Sequence, residues 1–381
     1  MTDISPELLS LLTDLVAIDS VNPGLDSTGA GEAPLADHLE TWCGERGLAV
    51  TRHGSPERPS LLISTTRGAP GPTLVLCGHL DTVGLAGMSE PLVPRIEDGR
   101  MHGRGTYDMK GGLAAALVAA VRLDVPEHRG RVVVAAVADE ENLSQGMEDV
   151  LASLSADAAV VTEPTELEVV TAHRGFAWLT VTAYGVAAHG SRPHLGVDAI
   201  VAMGPVLTGL AELQTTLAEA AHPLLGPGTV HASLIEGGTE VSTIPDRCVL
   251  RVERRTLPGE SGATVLAELD AVVDRAREAM PDARFEVTLD FQREPLETSA
   301  DHPLVEAALD ARGAVMGAAS SPVGASFWAD SALLASAGIP TILLGPIGEG
   351  AHADVEWVDL ASVEQTAQIL CSIAERLPRT Q

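Results

Sequence analysis

The chain has 381 residues, of which 45% are hydrophobic and only 3% aromatic, and its formal net charge is −29. This length and composition exclude a disordered chain and allow two domains with sizeable cores. The acidic charge argues against nucleic acid and anionic membranes as partners, because both repel a negatively charged surface.

The predicted elements begin with a helix behind Ser5-Pro6-Glu7, since Ser can cap a helix and Pro suits its first turn. Apolar runs rich in β-branched residues then predict strands at 61–64, 73–77, 131–138, 158–162 and 341–344. Helical segments fall between them, notably at 113–123, and runs apolar on both faces are typical of buried parallel strands. The sequence therefore predicts an α/β fold with a largely parallel central sheet flanked by helices.

The middle of the chain has a different pattern. Alternating strands are predicted at 176–184, 247–253 and 284–291, with helices near 196–217 and 263–280. This combination predicts a smaller α+β domain at 174–291, inserted into a discontinuous catalytic domain at 1–173 and 292–381.

Acidic residues and histidines follow the predicted strands. They are His79, Asp81, Asp139, Glu140, Glu141, Glu163 and, after a glycine-rich segment, His352. Because ligands bind outside the carboxyl ends of strands in open α/β sheets, we expect these side chains to converge on one crevice.

Histidine and carboxylate together are typical ligands of zinc or a similar divalent ion. Asp108 adds a further carboxylate just before Gly111-Gly112. Two neighbouring ions need a bridging carboxylate and can activate one shared water, whose proton a free carboxylate must take. Glu140 and Glu141 could divide the roles of base and ligand, and Asp81 could orient the His79 ring.

Several motifs in this order resemble those of the M20 metallopeptidases and deacylases. The motifs are His79-Leu80-Asp81-Thr82-Val83, Gly105-Thr106-Tyr107-Asp108-Met109-Lys110-Gly111-Gly112, Asp139-Glu140-Glu141, Glu163-Pro164 and Ala351-His352. That family includes acetylornithine deacetylase, succinyl-diaminopimelate desuccinylase, aminoacylase and glutamate carboxypeptidase. The resemblance extends from Leu15 to Val358, almost the whole chain.

The resemblance implies a role for each residue. Asp108 would bridge two metal ions, with His79 and Glu163 completing one site and Glu141 and His352 the other. Glu140 would be the general base, and Asp81 would support His79. In relatives the peptide bond after the bridging Asp is cis.

The inserted domain resembles the family's lid and dimerisation domain. His189, in Ala188-His189-Gly190-Ser191, matches a histidine that reaches the partner subunit's active site and helps hold the oxyanion. Arg255 matches an arginine that binds the substrate carboxylate, although Arg254 competes for that role. Many relatives carry Asn at the position of Ser242, which is a departure from the family pattern.

Each candidate also has an ordinary structural interpretation. A helix-capping carboxylate is the alternative for Asp108, Glu141 and Glu163, and a turn cap is the alternative for Asp81. A solvated acid is the alternative for Glu140, a plain loop histidine for His352 and His189, and a surface salt bridge for Arg255.

The sequence thus predicts a two-metal amidohydrolase that cleaves an N-acyl amino acid and forms a homodimer. The expected metal is zinc, with cobalt or manganese as alternatives. A dipeptidase or carboxypeptidase would share the same metal site, so the motifs do not separate it from a deacylase. A metal-dependent binding protein on a retired hydrolase fold is disfavoured by the retained Glu140, because a retired site has no use for a base.

The cysteines Cys43, Cys77, Cys248 and Cys371 are scattered, which is typical of buried thiols rather than of a disulfide framework. The N-terminus has no basic stretch followed by an apolar run, and no segment carries about 18 consecutive apolar residues. We therefore expect a soluble cytoplasmic protein.

Overall fold

The computed structural model describes residues 4–378. Helices α1 to α9 span, in chain order, Pro6–Ala17, Ala33–Glu45, Gly111–Leu123, Gln145–Leu151, Ala199–Leu217, Gly262–Ala279, Pro303–Met316, Ser331–Ser336 and Leu360–Arg376. Strands β1 to β21 span Ala49–Gly54, Pro59–Ser64, Ala69–His79, Arg95–Glu97, Arg100–His102, Arg129–Val137, Ala158–Val161, Val170–His173, Gly175–Tyr184, Ala188–His189, Ala221–His222, Gly226–Pro227, Thr229–Gly237, Thr243–Ile244, Arg247–Thr256, Arg284–Arg293, Leu296–Glu297, Val323–Ala325, Thr341–Leu343, Gly348–Glu349 and Trp357–Asp359.

The chain forms two compact units. The first holds the chain up to Thr171, Thr298–Val323 and the chain from Ala329 onward, and the second holds Ala172–Glu297 with Gly324–Trp328. The sequence predicts the insert at 174–291, but the second unit continues past β16. The reason is that β17 places Leu296 opposite His173 and Glu297 opposite Ala172.

The first unit is built on a sheet whose strands run in the order β1-β2-β6-β3-β7-β19-β8. Its centre is parallel, since β3 pairs in parallel with both β6 and β7, and β19 with β7. The predicted α/β class and the largely parallel sheet are therefore confirmed. The run at 61–64 is an exception, because β2 pairs antiparallel with β6.

The register of the parallel strands places their carboxyl ends at one edge. His79, the last residue of β3, lies opposite Val137 of β6, and Cys77 lies opposite Val161 of β7. The residues that follow these strands therefore lie close together in space.

Helices cover this sheet with a core built from small and aliphatic side chains. In α1, the Ser5 side chain accepts a hydrogen bond from the Leu8 amide, and Pro6 occupies the first turn, as the sequence predicts. Helix α3 is buried along nearly its whole length, and its alanines allow close packing on all sides. Gly112, at its start, has no room for a side chain, because a Cβ there would lie 2.0 Å from the Thr162 carbonyl oxygen.

The second unit contains an antiparallel sheet in the order β13-β15-β9-β16, together with α5 and α6. Alternate residues of β9, such as Leu179 and Val181, are buried in a core shared with the two helices. By length and composition α5 would pass for a membrane span. However, its residues Ala202 and Met203 belong to this core.

Candidate metal centre

His79 is placed by the end of β3 and is 1% exposed. Its Nδ1 lies 2.8 Å from the Asp81 carbonyl oxygen. Because a carbonyl only accepts, Nδ1–H must donate this bond, which leaves Nε2 as the ligand atom. Nε2 lies 3.1 Å from Asp108 Oδ1.

Asp108 lies in the turn Thr106–Lys110 that leads into α3, and the Asp108–Met109 peptide bond is cis, as the resemblance implies. The turn is held by Glu356, whose carboxylate accepts hydrogen bonds from the backbone amides of Gly105, Tyr107 and Asp108 at 3.0 to 3.1 Å. Arg104 Nη1 donates to the same carboxylate at 2.8 Å. Glu356 is 1% exposed, so this turn is fixed by a buried ion pair.

The carboxylate of Asp108 lies between two imidazoles. Its Oδ1 faces His79 Nε2 at 3.1 Å, and its Oδ2 faces His352 Nε2 at 3.3 Å. This is the arrangement that a bridging ligand requires, with one oxygen available to each of two sites.

His352 belongs to the glycine-rich loop between β20 and β21, and its backbone is left-handed, with φ of 62°. A non-glycine residue in this conformation carries strain that is common at functional sites. Its Nε2 lies 2.9 Å from Glu141 Oε2 as well as near Asp108. The loop therefore presents His352 to both carboxylates.

Glu140 and Glu141 lie in the turn that follows β6, after Ala138 and Asp139, and Glu163 lies just after β7. Ligand atoms of His79, Asp108 and Glu141 lie within 4.8 Å of one another, and so do those of His79, Glu140 and Glu163. Glu141 Oε1 is buried and has no hydrogen-bond partner among residues 4–378. Glycines permit this crowding, because a Cβ at Gly345 would lie 2.1 Å from the Glu163 carbonyl oxygen.

The electrostatics of the cluster also fit a metal centre. Burial, and then the charge of Asp108, raises the pKa of Glu163 to about 8. Burial, and then Glu163, raises the pKa of Glu140 well above its usual range, and burial also raises the pKa of Glu141. Buried carboxylates that repel one another and leave an oxygen unpaired fit divalent cations, whose charge would offset the repulsion.

Close contacts between imidazoles and carboxylates favour the charged forms of His352 and Asp108. Hydrogen bonds to Asp108 and Glu141 raise the pKa of His352 to about 10. Burial opposes ionisation of Asp108, but hydrogen bonds from His352 and His79 outweigh it and lower the pKa of Asp108. Protonated imidazoles thus supply positive charge next to these carboxylates, and bound metal ions would supply it instead.

The structure brings together the sequence-predicted residues of the first unit. These are His79, Asp108, Glu140, Glu141, Glu163 and His352. Asp81 is adjacent, but its contact with the His79 ring differs from the expected one. The Asp81 carbonyl oxygen is 2.8 Å from Nδ1, whereas its carboxylate is 3.8 Å away and accepts hydrogen bonds from the amides of Glu140 and Glu141 instead.

His189 and Arg255 belong to the second unit. His189 is exposed, and its Nδ1 lies 2.8 Å from Ser191 Oγ. Arg255 donates from Nε to Glu253 at 2.8 Å, and its guanidinium lies 5.3 Å from the centre of the Phe176 ring. Arg254, the competing candidate, is 1% exposed and holds Glu260 and Glu268 at 2.8 and 3.0 Å, so it has a structural role.

Several buried or half-buried polar residues around the site were not predicted as functional. They are Asn22, Glu32, Arg58, Arg104, Asp330 and Glu356. Their partners lie far away in the chain; Arg104 and Glu356, for example, are separated by 252 positions. Of these six, Asn22 has a local signal, because Ser20-Val21-Asn22-Pro23-Gly24 is a pattern that ends a helix.

Comparisons with known proteins agree with this geometry. The model of the M20/M25/M40 peptidase family matches residues 75–376. The chain is 29% identical to acetylornithine deacetylase from Photorhabdus laumondii, over 97% of each chain.

Two solved structures share the fold. One is aminopeptidase PepT from Bacillus cereus, with a TM-score of 0.77, 22% identity and coverage of 98% of this chain and 99% of that one. The other is a dinuclear metal-binding peptidase of the M20 family from Bacillus subtilis, with a TM-score of 0.76, 16% identity and 96% of each chain covered. The family match spans most of the length of this chain. The chain therefore belongs to the M20/M25/M40 peptidase family and is a hydrolase of amide or peptide bonds.

Proposed function

We propose that this hydrolase depends on two divalent metal ions and cleaves the amide bond of an N-acyl amino acid. The observation that carries the proposal is the Asp108 carboxylate between His79 and His352, with Glu140 and Glu141 beside it. The relative that is 29% identical over nearly the whole chain is an acetylornithine deacetylase, which favours a deacylase.

The residues divide into two proposed metal sites that share Asp108. His79 and Glu163 would complete one, and Glu141 and His352 the other. Mixed histidine and carboxylate ligands favour zinc, with cobalt or manganese as alternatives. Ions bound there would polarise the amide carbonyl and lower the pKa of a water held at the site.

Glu140 would take the proton of the attacking water and later deliver it to the leaving amine. Burial raises the pKa of Glu140, which makes its carboxylate a stronger base than that of an exposed glutamate. Glu140 also lies within ligand range of His79 and Glu163, and its role as base therefore requires its own test.

The second unit would supply His189 to the active site of a partner subunit and Arg255 to the substrate carboxylate. The edge strand β13 supports a homodimer, because its Leu234 and Ile235 are 58% and 50% exposed. Exposed apolar edge strands are templates for pairing with another chain.

A charged substitution, Ile235→Lys, tests this assembly. We expect a monomer that binds metal but has lost most activity, as measured by light scattering and turnover. Val93→Lys, which changes an exposed valine of the first unit, is the control and should leave both unchanged. A fully active monomeric Ile235→Lys variant would contradict the role of His189.

The activity itself is tested with N-acetyl amino acids, N-succinyl amino acids and dipeptides, with added zinc or cobalt and with a chelator. We expect chelator-sensitive cleavage of one N-acyl class. Cleavage of dipeptides alone would assign the peptidase alternative, and no cleavage by protein with two bound metals would overturn the proposal.

A further inference from the structure

The residues Asp139, Glu140 and Glu141 form a turn at the end of β6 that the backbone alone does not favour. Asp139 has φ of 68°, a left-handed conformation that non-glycine residues rarely adopt. Its amide donates to Glu32 Oε1 at 3.2 Å, and Glu32 is fully buried. The turn therefore depends on contacts from elsewhere in the chain.

Asp81 supplies the acceptors for the rest of the turn. Its Oδ1 accepts from the Glu140 amide and its Oδ2 from the Glu141 amide, each at 3.2 Å. The position of the Asp81 carboxylate thus fixes the backbone positions of Glu140 and Glu141.

Asn22 joins Asp81 to Asp139. Its Nδ2 donates to Asp81 Oδ2 at 2.8 Å and to Asp139 Oδ1 at 3.1 Å. Its Oδ1 accepts from the Gly24 amide at 2.8 Å, and the residue is 0% exposed. Both amide hydrogens of Asn22 are therefore used to hold two buried carboxylates together.

Arg58 holds the other side of the turn. Its guanidinium binds both oxygens of Glu32, at 2.5 and 2.6 Å, and Nη2 also donates to Asp139 Oδ1 at 3.0 Å. A planar fork of donors is suited to this geometry, whereas an ammonium group is not.

We propose that Asn22 and Arg58 are positioning residues that fix the turn carrying Glu140 and Glu141. This inference rests on the proposed function for the roles of those two glutamates. Asn22 acts through the Asp81 carboxylate, and Arg58 acts through Asp139 and Glu32. Both are assigned to act through these carboxylates rather than on the substrate.

The main test is Asn22→Leu, which keeps a similar volume and removes both donors. We expect kcat to fall about 10- to 100-fold while KM changes little, because the displaced Glu140 acts in the transition state. Displacement of Glu141 should weaken binding of Co2+ to metal-free protein about 10- to 100-fold and alter the visible spectrum of the Co2+ protein.

Arg58 provides a second variant that does not depend on the tolerance of a fully buried site. Arg58→Gln should reduce kcat and Co2+ affinity about tenfold, and Arg58→Lys, which keeps the charge, should restore part of the loss.

Arg122→Gln is the matched control. Arg122 pairs with Glu364 at 2.8 Å, with side chains 31% and 6% exposed, close to the 27% and 0% of Arg58 and Glu32. It should lower thermal stability without changing kcat or the Co2+ spectrum.

Wild-type kcat and an unchanged Co2+ spectrum in folded Asn22→Leu and Arg58→Gln would overturn the inference. Equal effects in Arg122→Gln would overturn it too, since they would indicate general destabilisation. If the wild type cleaves no amide, the proposed function fails, and the Co2+ spectra alone still decide whether the turn is positioned by these residues.

Discussion

Two groups of acidic residues lie side by side in the first unit and differ in how their charge is balanced. The site cluster comprises Asp108, Glu140, Glu141 and Glu163, and the support cluster comprises Glu32, Asp81 and Asp139. In the support cluster, Arg58, Asn22 and backbone amides donate to the carboxylates. Burial raises the pKa of Glu32 as well, but its hydrogen bonds from Arg58 oppose that effect.

The site cluster has only imidazoles as positive partners, and Glu141 Oε1 is buried without a hydrogen bond within the described part of the chain. Buried acids whose oxygens accept hydrogen bonds from protein donors stabilise the fold. Buried acids that repel one another and leave a carboxylate oxygen without a donor fit the role of metal ligands.

The strongest way to break the comparison is Asp108→Asn, which keeps the shape of the residue but removes its charge. We expect a larger loss of turnover than for any other variant, because both proposed metal sites share this carboxylate. Asp124→Asn is the control, since Asp124 is a buried aspartate that is hydrogen-bonded to Arg67 and the Thr66 amide. Similar activities in the two variants would remove the distinction between the clusters.

A second test separates the two adjacent glutamates. Glu140→Gln should lower kcat by about 10²- to 10⁴-fold while metal binding persists, because it removes a base. Glu141→Gln should instead lose metal, because it removes a ligand. Metal loss in Glu140→Gln, measured by elemental analysis after dialysis, would make Glu140 a ligand and leave the base unassigned.

Arg254 and Arg255 of the second unit offer a similar contrast between a structural and a functional charge. Arg255→Gln should raise KM about 10- to 100-fold with little change in stability, because a charge-assisted hydrogen bond to substrate contributes about 1.5 to 3 kcal/mol. Arg254→Gln should destabilise the protein, since it leaves the half-buried carboxylates of Glu260 and Glu268 without their buried cation. An unchanged KM in Arg255→Gln would leave that arginine a surface ion pair with Glu253.

The smallest effect concerns a buried histidine whose charged form is disfavoured by burial. Burial lowers the pKa of His173 from its usual 6.5 to about 4, and its Nδ1 lies 2.9 Å from the Arg174 carbonyl oxygen. His173 therefore binds a proton below about pH 6.5 in the unfolded chain but only below about pH 4 in the folded chain. Folding stability should fall by about 2 kcal/mol between pH 7 and 5.

His173→Asn keeps a donor near the Nδ1 position and cannot titrate. Its urea midpoint should therefore change less between pH 7 and 5 than that of the wild type. His194→Gln, at an exposed position, is the control. Identical pH dependence in wild type and His173→Asn would show that this histidine contributes nothing to acid sensitivity.

Prediction from the sequence succeeded where residues are tied to a strand end. His79, Glu140, Glu141 and Glu163 follow apolar runs, and the parallel register then brings those ends together. The fold class followed from the same runs. The division of roles between these residues, and the parts assigned to His189 and Arg255, stay predictions.

Asp81 and Asp139 of the support cluster were expected near the site, but Glu32 and the contacts that hold the cluster could not be predicted, because those contacts join distant segments. Arg58 and Asp139 are 81 positions apart, and Asn22 and Asp139 are 117 positions apart. No local pattern distinguishes such residues from solvated surface charges. The sequence also predicted that Asp81 orients the His79 ring, but not that its backbone carbonyl makes the contact.

The most direct test of the account is the number of metal ions bound per chain after equilibrium dialysis against zinc, measured by elemental analysis. We expect two ions in the wild type, retention of both in Asp124→Asn, and loss of metal in Asp108→Asn. A wild type that binds no ion, or an Asp108→Asn variant that still binds two, would contradict the central claim that Asp108 bridges a two-metal centre.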